Sequence, residues 1–212
     1  MSTDQTVSII DDEASIRKGI SNLLRSADYN TQLYASGLEF LEHSKFEPGC
    51  IIMDLAMPDL TGLEVQQRLL EQGIHTPIIF LSGNGSIPCT VKALKDGALD
   101  FLEKPVDAVA LFKAVEGALE IDQLKRKRMH DNAEAKLHLA TLTPREREVL
   151  LYVIAGALNK QIAHELTISE KTVKVHRARV MEKMAVHSVA ELVRYTESLN
   201  IQPAVLEFSE SQ

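Results

Sequence analysis

Cysteine is nearly absent from the 212 residues: only Cys50 and Cys89 occur, and their spacing fits no metal-ligand set. A cystine-stapled scaffold is thereby excluded, and two reduced thiols in a cytoplasmic protein are the expectation. Long apolar runs are missing too, since no stretch reaches the roughly 18 residues that a membrane-spanning helix needs. The N-terminal Met-Ser-Thr-Asp-Gln-Thr lacks a basic segment followed by an apolar one, so no signal peptide is expected. There is no internal repeat and no low-complexity stretch, although the tail after Pro203 is polar.

What is present is a chain that is 45% hydrophobic, enough for a core in one large domain or two small ones. Its net charge of -7 is unevenly spread. Residues 1–121 carry nine Lys/Arg against eighteen Asp/Glu, 122–140 carry five against three, and 141–212 carry nine of each. Within the last block, Lys171, Lys174, Arg177, Arg179 and Lys183 outnumber Glu170 and Glu182. A protein this acidic meets nucleic acid only through a local basic surface.

Residues 1–121 alternate strand and helix patterns. Apolar runs at 7–10, 51–53 and 78–81, a short segment near 31–34 and the stretch around Phe101 read as strands. Helical spacing appears in Ile16, Ile20, Leu23, Leu24 and Ala27, from Leu38, over 63–71, in Val91, Ala93, Leu94 and Ala98, and over 109–119. Five such units predict an α/β domain, a doubly wound five-stranded parallel sheet covered by helices on both faces. Residues 122–140 lack Gly and Pro and favour helix, which predicts a helical linker. From 141 to 212 the pattern is helical only, a second, smaller all-α domain. Thr143-Pro144-Arg145-Glu146 is a capping box with Pro at the first helical position. Gly156 ends that helix, 160–166 forms a short second one, Ser169 caps a third and Ser188 a fourth.

The polar residues that end the strands carry the chemistry. Asp11-Asp12, Asp54, Ser82-Gly83 and Lys104-Pro105 each follow an apolar run. The C-terminal edge of an open parallel sheet is where ligands bind. Three carboxylates, a hydroxyl and an ammonium are therefore expected in one crevice. A carboxylate attacks phosphate poorly because two anions repel, and a hard cation such as Mg²⁺ offsets that charge. Asp11 or Asp12, Asp54 and a backbone carbonyl near Ala56 are candidate oxygens for it. Lys104 suits one phosphate oxygen and Ser82 another. Asp54 is the candidate nucleophile, giving an acyl phosphate that adds about 1.5–2 negative charges. A dehalogenase-like phosphatase would carry a second Asp two residues after the nucleophile, where this chain has Ala56.

Asp-Asp-Glu at 11–13, Asp54-Leu-Ala-Met-Pro58 with Gly62, Ser82-Gly83 and Lys104-Pro105 together resemble a two-component receiver domain of flavodoxin-like fold. Residues 141–200 resemble the LuxR/FixJ-type helix-turn-helix domain. The combination is similar to response regulators of the FixJ/NarL family, which are regulators and not enzymes. The resemblance implies that a sensor histidine kinase supplies the phosphoryl group. It implies that Ser82 swings inward with Phe101 following. Dimerisation through the fourth helix and fifth strand, near Val91 and Lys95, would pair the C-terminal domains on promoter DNA. Activation of transcription, with RNA polymerase as a further partner, completes that expectation.

The segment from Asn159 to Leu166, a turn, and a helix from Ser169 form the helix-turn-helix pattern. Ile162, Ala163, Leu166, Ile168 and Val173 face inward. Lys171, Thr172, Lys174, Val175 and Arg179 lie along an outward face suited to the major groove. Lys174 and Val175 are candidates for base contacts, and Lys160, Lys171 and Arg177 for phosphates. His176 either contacts DNA or packs. Two rival functions stand beside this one: a phosphotransfer protein whose C-terminal domain binds only protein, and a constitutive DNA binder with an unused receiver.

Overall fold

The computed structural model describes residues 5–45, 47–83 and 95–205. Asn84, Gly85 and Ser86, Cys89 and the helix expected from Val91, Ala93 and Leu94 lie outside the described residues. The chain divides into two compact units, Met1–Arg126 and Lys127–Gln212.

The first unit runs β1 (Thr6–Ile10), α1 (Ala14–Arg25), β2 (Asn30–Tyr34), α2 (Gly37–His43), β3 (Gly49–Asp54), α3 (Gly62–Glu71), β4 (Ile78–Ser82), β5 (Asp100–Glu103) and the start of α4 (Ala108–Ala140). All the strands are parallel, in the order β2-β1-β3-β4-β5. The chain leaves β1 toward one edge and returns past it to β3, so the direction of winding reverses between those two strands. This is the doubly wound parallel sheet expected from the strand and helix pattern, in the flavodoxin-like form that the receiver resemblance implies.

Strand alternation splits the core into two layers. Val7, Ile9, Cys50, Ile52, Ile79 and Leu81 pack with Ile20 and Leu24 of α1 and with Leu111, Val115 and Ala118 of α4. Ile10, Ile51, Met53, Ile78 and Phe80 pack on the other side with Phe40, Val65 and Leu69 of α2 and α3. All six residues of β3 are buried, as a central strand covered on both faces requires. Burial also pushes the Cys50 thiol up to about 12, with the nearby Asp122 carboxylate adding to the effect, so the group stays a protonated thiol.

Two features of this unit were not visible in the hydrophobic pattern. Gly49 opens β3 at φ +151, and a Cβ there would lie 1.8 Å from the Thr6 carbonyl oxygen. Its N–H donates to Asp122 Oδ2 at 2.9 Å, and Arg126 Nε donates to the same oxygen at 2.7 Å. The sequence boundary put Asp122 in the linker, yet Asp122 is buried and Arg126 reaches the Glu47 carbonyl. Helix α4 does not stop near 119; it runs unbroken to Ala140.

In the second unit, α5 (Pro144–Ile154), α6 (Asn159–Glu165), α7 (Glu170–Lys183) and α8 (Val189–Ser198) enclose Val149, Leu150, Val153, Ile162, Val173, Val180, Met184 and Leu192. Each helix start expected from Thr143, Ser169 and Ser188 is present as a side-chain cap on a backbone N–H three residues later. Helix α5 ends at Gly156, where the Ala157 N–H turns back to the Tyr152 carbonyl at 3.0 Å. Glu146 closes the Thr143 box and also takes the Lys183 ammonium at 2.7 Å. The Lys183 bond, followed by the Thr143 N–H, holds its carboxyl down at about 2.

Two outcomes follow from this packing. Gly49→Ala destabilises the first unit by about 2–4 kcal/mol, because the Cβ pushes β3 off β1; urea unfolding followed by circular dichroism reads the lower midpoint. Glu146 has a depressed folded value, so its stabilisation is present above its ordinary 4.5 and is lost as pH falls toward 2. Thermal midpoints of the second unit therefore fall in that window, and Glu146→Gln flattens the dependence.

Candidate functional site

Sheet register builds the crevice. Ile10 pairs with Met53, so the residues that follow, Asp11 and Asp54, emerge side by side. Asp54 pairs with Leu81 and Ser82 with Glu103, which brings Ser82 and Lys104 to the same edge. The Lys104 N–H donates to the Ser82 carbonyl at 2.8 Å. Gly62 at the start of α3 keeps the far wall close, since a Cβ there would lie 2.6 Å from the Asp54 carbonyl oxygen. The result is an open cleft of about 700 Å³ lined by Asp12, Glu13, Asp54, Ala56, Thr61, Leu63, Ser82, Gly83 and Lys104.

Lys104 holds the acids together. Its Nζ lies 2.7 Å from Asp11 Oδ2 and 3.0 Å from Asp54 Oδ2, with Glu13 Oε1 at 4.0 Å. Asp11 is fully buried, and Asp54 and Ser82 are nearly so. Burial works against the Lys104 charge, but the bonds and attraction from Asp11 and Asp54 outweigh it and raise its pKa above the usual lysine value. Asp54 Oδ1 also accepts a long bond from the Ala56 N–H at 3.4 Å. One carboxylate oxygen from each of Asp11, Asp12 and Asp54 lies within 4.8 Å of the others. Three hard oxygen donors at that spacing, two of them buried, fit a small divalent cation better than a soft one. The expected residues Asp11, Asp12, Asp54, Ala56, Ser82 and Lys104 thus meet at one edge. Phe101 lies back from it on β5, half-buried against the α2–α3 layer.

In the second unit, α6 and α7 are joined by a turn in which Thr167 adopts φ +53 and the Ile168 N–H returns to the Ala163 carbonyl. Lys160, Lys171, Lys174, Val175 and Arg179 are exposed. Thr172 is half-buried, its hydroxyl 2.8 Å from Ser169 Oγ. Arg177 is half-buried and reaches the Ala157 carbonyl at 3.5 Å, so its guanidinium lies along the domain surface. His176 is half-buried with its Nδ1 shielded, which favours packing over the alternative of a free contact. Lys183, counted with the basic helix, is engaged by Glu146 and by the Thr141 carbonyl.

Sequence reading missed two contacts around the acids. The Glu13 N–H donates to Asp11 Oδ1 at 2.8 Å, and Arg17 Nη1 donates to the Asp11 carbonyl. The first is an Asx turn, which Asp at 11 followed by a helix start signals in retrospect. The second has no signature in the sequence beyond a cation in the first turn of α1.

Comparison with known proteins assigns each unit to a family. The response regulator receiver domain family matches residues 7–116, and the bacterial regulatory proteins of the luxR family match 140–196. The response regulator protein TmoT of Ectopseudomonas mendocina is 42% identical over 197 residues, covering 92% of this chain and 90% of its own length. The transcriptional regulatory protein FixJ of Rhizobium meliloti (strain 1021) is 39% identical over 193 residues, covering 91% of this chain and 95% of its own. The solved structure of the response regulator StyR superposes with a TM-score of 0.80 at 40% identity, covering 92% of this chain and 98% of that one. A receiver crevice on a five-stranded parallel sheet and a LuxR-type helix-turn-helix occur here in one polypeptide, and the chain belongs to the two-component response regulators of the FixJ type.

Proposed function

We propose that this response regulator is switched by phosphorylation of Asp54 and that the switched form binds promoter DNA to activate transcription. The observation that carries the reading is Lys104 within 3.0 Å of both Asp11 and Asp54 inside an open cleft. That arrangement sets the proposed nucleophilic carboxylate in the wall of an open cleft, beside a cation that a phosphoryl oxygen can take over.

In the transfer, an Asp54 carboxylate oxygen forms a bond to phosphorus as the P–N bond of a kinase phosphohistidine breaks, and the imidazole leaves with the bonding electron pair. Asp11, Asp12, Asp54 and the Ala56 carbonyl are the groups that would hold Mg²⁺, which supplies charge neutralisation for the phosphoryl oxygens. Lys104 exchanges its bond to Asp54 for one to the phosphoryl group, and Ser82 donates to another oxygen. Ser82 ends the strand adjacent to β5, so its inward movement vacates space into which Phe101 turns. Reshaping of this edge is the proposed trigger for a homodimer, with pairing near Val91 and Lys95 as the family resemblance implies.

Residues 1–121 are the proposed receiver, 122–140 the connecting helix and 141–212 the DNA-binding domain, acting in the cytoplasm with RNA polymerase as a further partner. Lys174 and Val175 are the proposed base contacts, with Thr172 and Arg179 on the same face. Lys160, Lys171 and Arg177 serve phosphates, and His176 supports the helix or adds a contact. A single copy carries few exposed cations, so pairing two copies raises both affinity and salt dependence.

Two measurements test this. Wild-type protein with Mg²⁺ and acetyl phosphate gains phosphoryl on Asp54, doubles in mass by light scattering and binds a selected DNA site at least tenfold more tightly by fluorescence anisotropy. Asp54→Asn shows none of the three, and equal DNA affinity in all states would sink the switch. Lys104→Met leaves two buried carboxylates without their cation and lowers first-unit stability by about 2 kcal/mol at neutral pH. Because the Lys104 value is raised, the wild-type advantage is full below its ordinary 10.5 and disappears as pH climbs through the higher folded value. Urea titrations of both proteins across alkaline pH read that convergence.

A further inference from the structure

Only three residues, Asp11, Asp12 and Glu13, separate the last residue of β1 from the first of α1, and the first two belong to the group of acids that could hold a cation. The course of this turn decides where those carboxylates point. Besides the Lys104 ion pair, three hydrogen bonds to its backbone hold it. The Asp11 N–H donates to the Tyr34 carbonyl at 3.3 Å, the Glu13 N–H donates to Asp11 Oδ1 at 2.8 Å, and Arg17 Nη1 donates to the Asp11 carbonyl oxygen. The carbonyl of Asp11 and the N–H of Asp12 share one rigid peptide plane. Fixing that carbonyl therefore fixes the rotation at which Asp12 leaves the turn. Asp12 is exposed, so packing does not set its direction as it does for the fully buried Asp11.

We propose that Arg17 is a positioning residue for divalent-cation binding in the crevice, acting through the Asp11 carbonyl to aim the Asp11–Asp12 pair. The inference rests on the reading of the three acids as a cation site. Its sign separates it from simple electrostatics. A guanidinium bonded to the Asp11 carbonyl brings positive charge to this turn, so if charge were its whole contribution, its removal would leave cation binding equal or tighter. Loss of the held peptide plane does the reverse, because a ligand that must first be ordered binds more weakly. Arg17 is half-buried, so its guanidinium is restrained and does not simply wave in solvent.

The test is isothermal titration of the full-length protein with Mg²⁺ alone, for wild type, Arg17→Ala and Arg17→Lys, with thermal midpoints by circular dichroism with and without the ion. Wild type binds, Arg17→Ala binds about tenfold more weakly, and Arg17→Lys, which keeps the charge but not the planar fork, falls between them. The Mg²⁺-induced rise in midpoint shrinks in Arg17→Ala, whereas a purely structural role lowers the midpoint equally with and without the ion. Equal or tighter Mg²⁺ binding by Arg17→Ala overturns the proposal while leaving the cation site intact. Absence of binding by wild type overturns the cation reading of the crevice and this proposal with it. Should Arg17→Ala not fold, Arg17→Lys decides: affinity equal to wild type overturns the role, and weaker affinity in a protein with unchanged far-ultraviolet circular dichroism supports it.

Discussion

The pairing of one ammonium with two buried carboxylates is the constraint on which the first unit depends. Asp11 and Asp54 sit beside each other at the end of adjacent strands, and two such charges out of water repel. Lys104 on the fifth strand's exit bridges them at 2.7 and 3.0 Å. The same bridge places a cation against Asp54 at the mouth of the cleft. A site arranged this way is balanced while it waits, and any added anion at Asp54 must rearrange the balance. That is the physical basis for reading the crevice as a switch and not as a structural ion pair.

Backbone register delivers those three charges to one place. Parallel pairing of Ile10 with Met53 and of Asp54 with Leu81 puts the end of each strand at nearly the same height. A slip of one residue would turn the acids toward a helix layer. Gly49 protects the register at one end of β3, where any Cβ strikes Thr6, and Gly62 protects the approach at the other, where a Cβ strikes the Asp54 carbonyl. Asp122 adds a third restraint by bonding the Gly49 N–H from α4. The chemistry at the C-terminal edge is thus held partly by contacts at the opposite edge.

The second unit relies on helix ends more than on any buried charge chemistry. Thr143, Ser169 and Ser188 each satisfy a backbone N–H that would otherwise go unpaired. Glu146 is the exception: it serves the α5 cap and binds Lys183 at the last residue of α7, and so ties the scaffold helix to the basic helix. Packing of Val173 and Val180 and the Lys183 bond hold α7 in place, with Lys171, Lys174, Val175 and Arg179 exposed on its outer face.

The five parallel strands, the crevice acids and the helix starts were legible in the sequence because each is a local signal: an apolar run followed by a polar residue, or a capping Ser or Thr ahead of a helical pattern. Asp54, Ser82 and Lys104 followed from that rule alone. The bond from Arg17 to the Asp11 carbonyl, the reach of Asp122 to Gly49 and the diversion of Lys183 to Glu146 did not, since each joins groups whose neighbourhood depends on how elements pack. The unbroken helix through 108–140 was half legible, its second part from propensity and its continuity only from the fold. Sequence by itself determined which residues end the strands and cap the helices, because hydrophobic period and hydrogen-bonding chemistry act over a few residues. Tertiary structure alone decided which charges meet, because a charge takes the partner that register and packing leave within about 3 Å, whatever the distance along the chain.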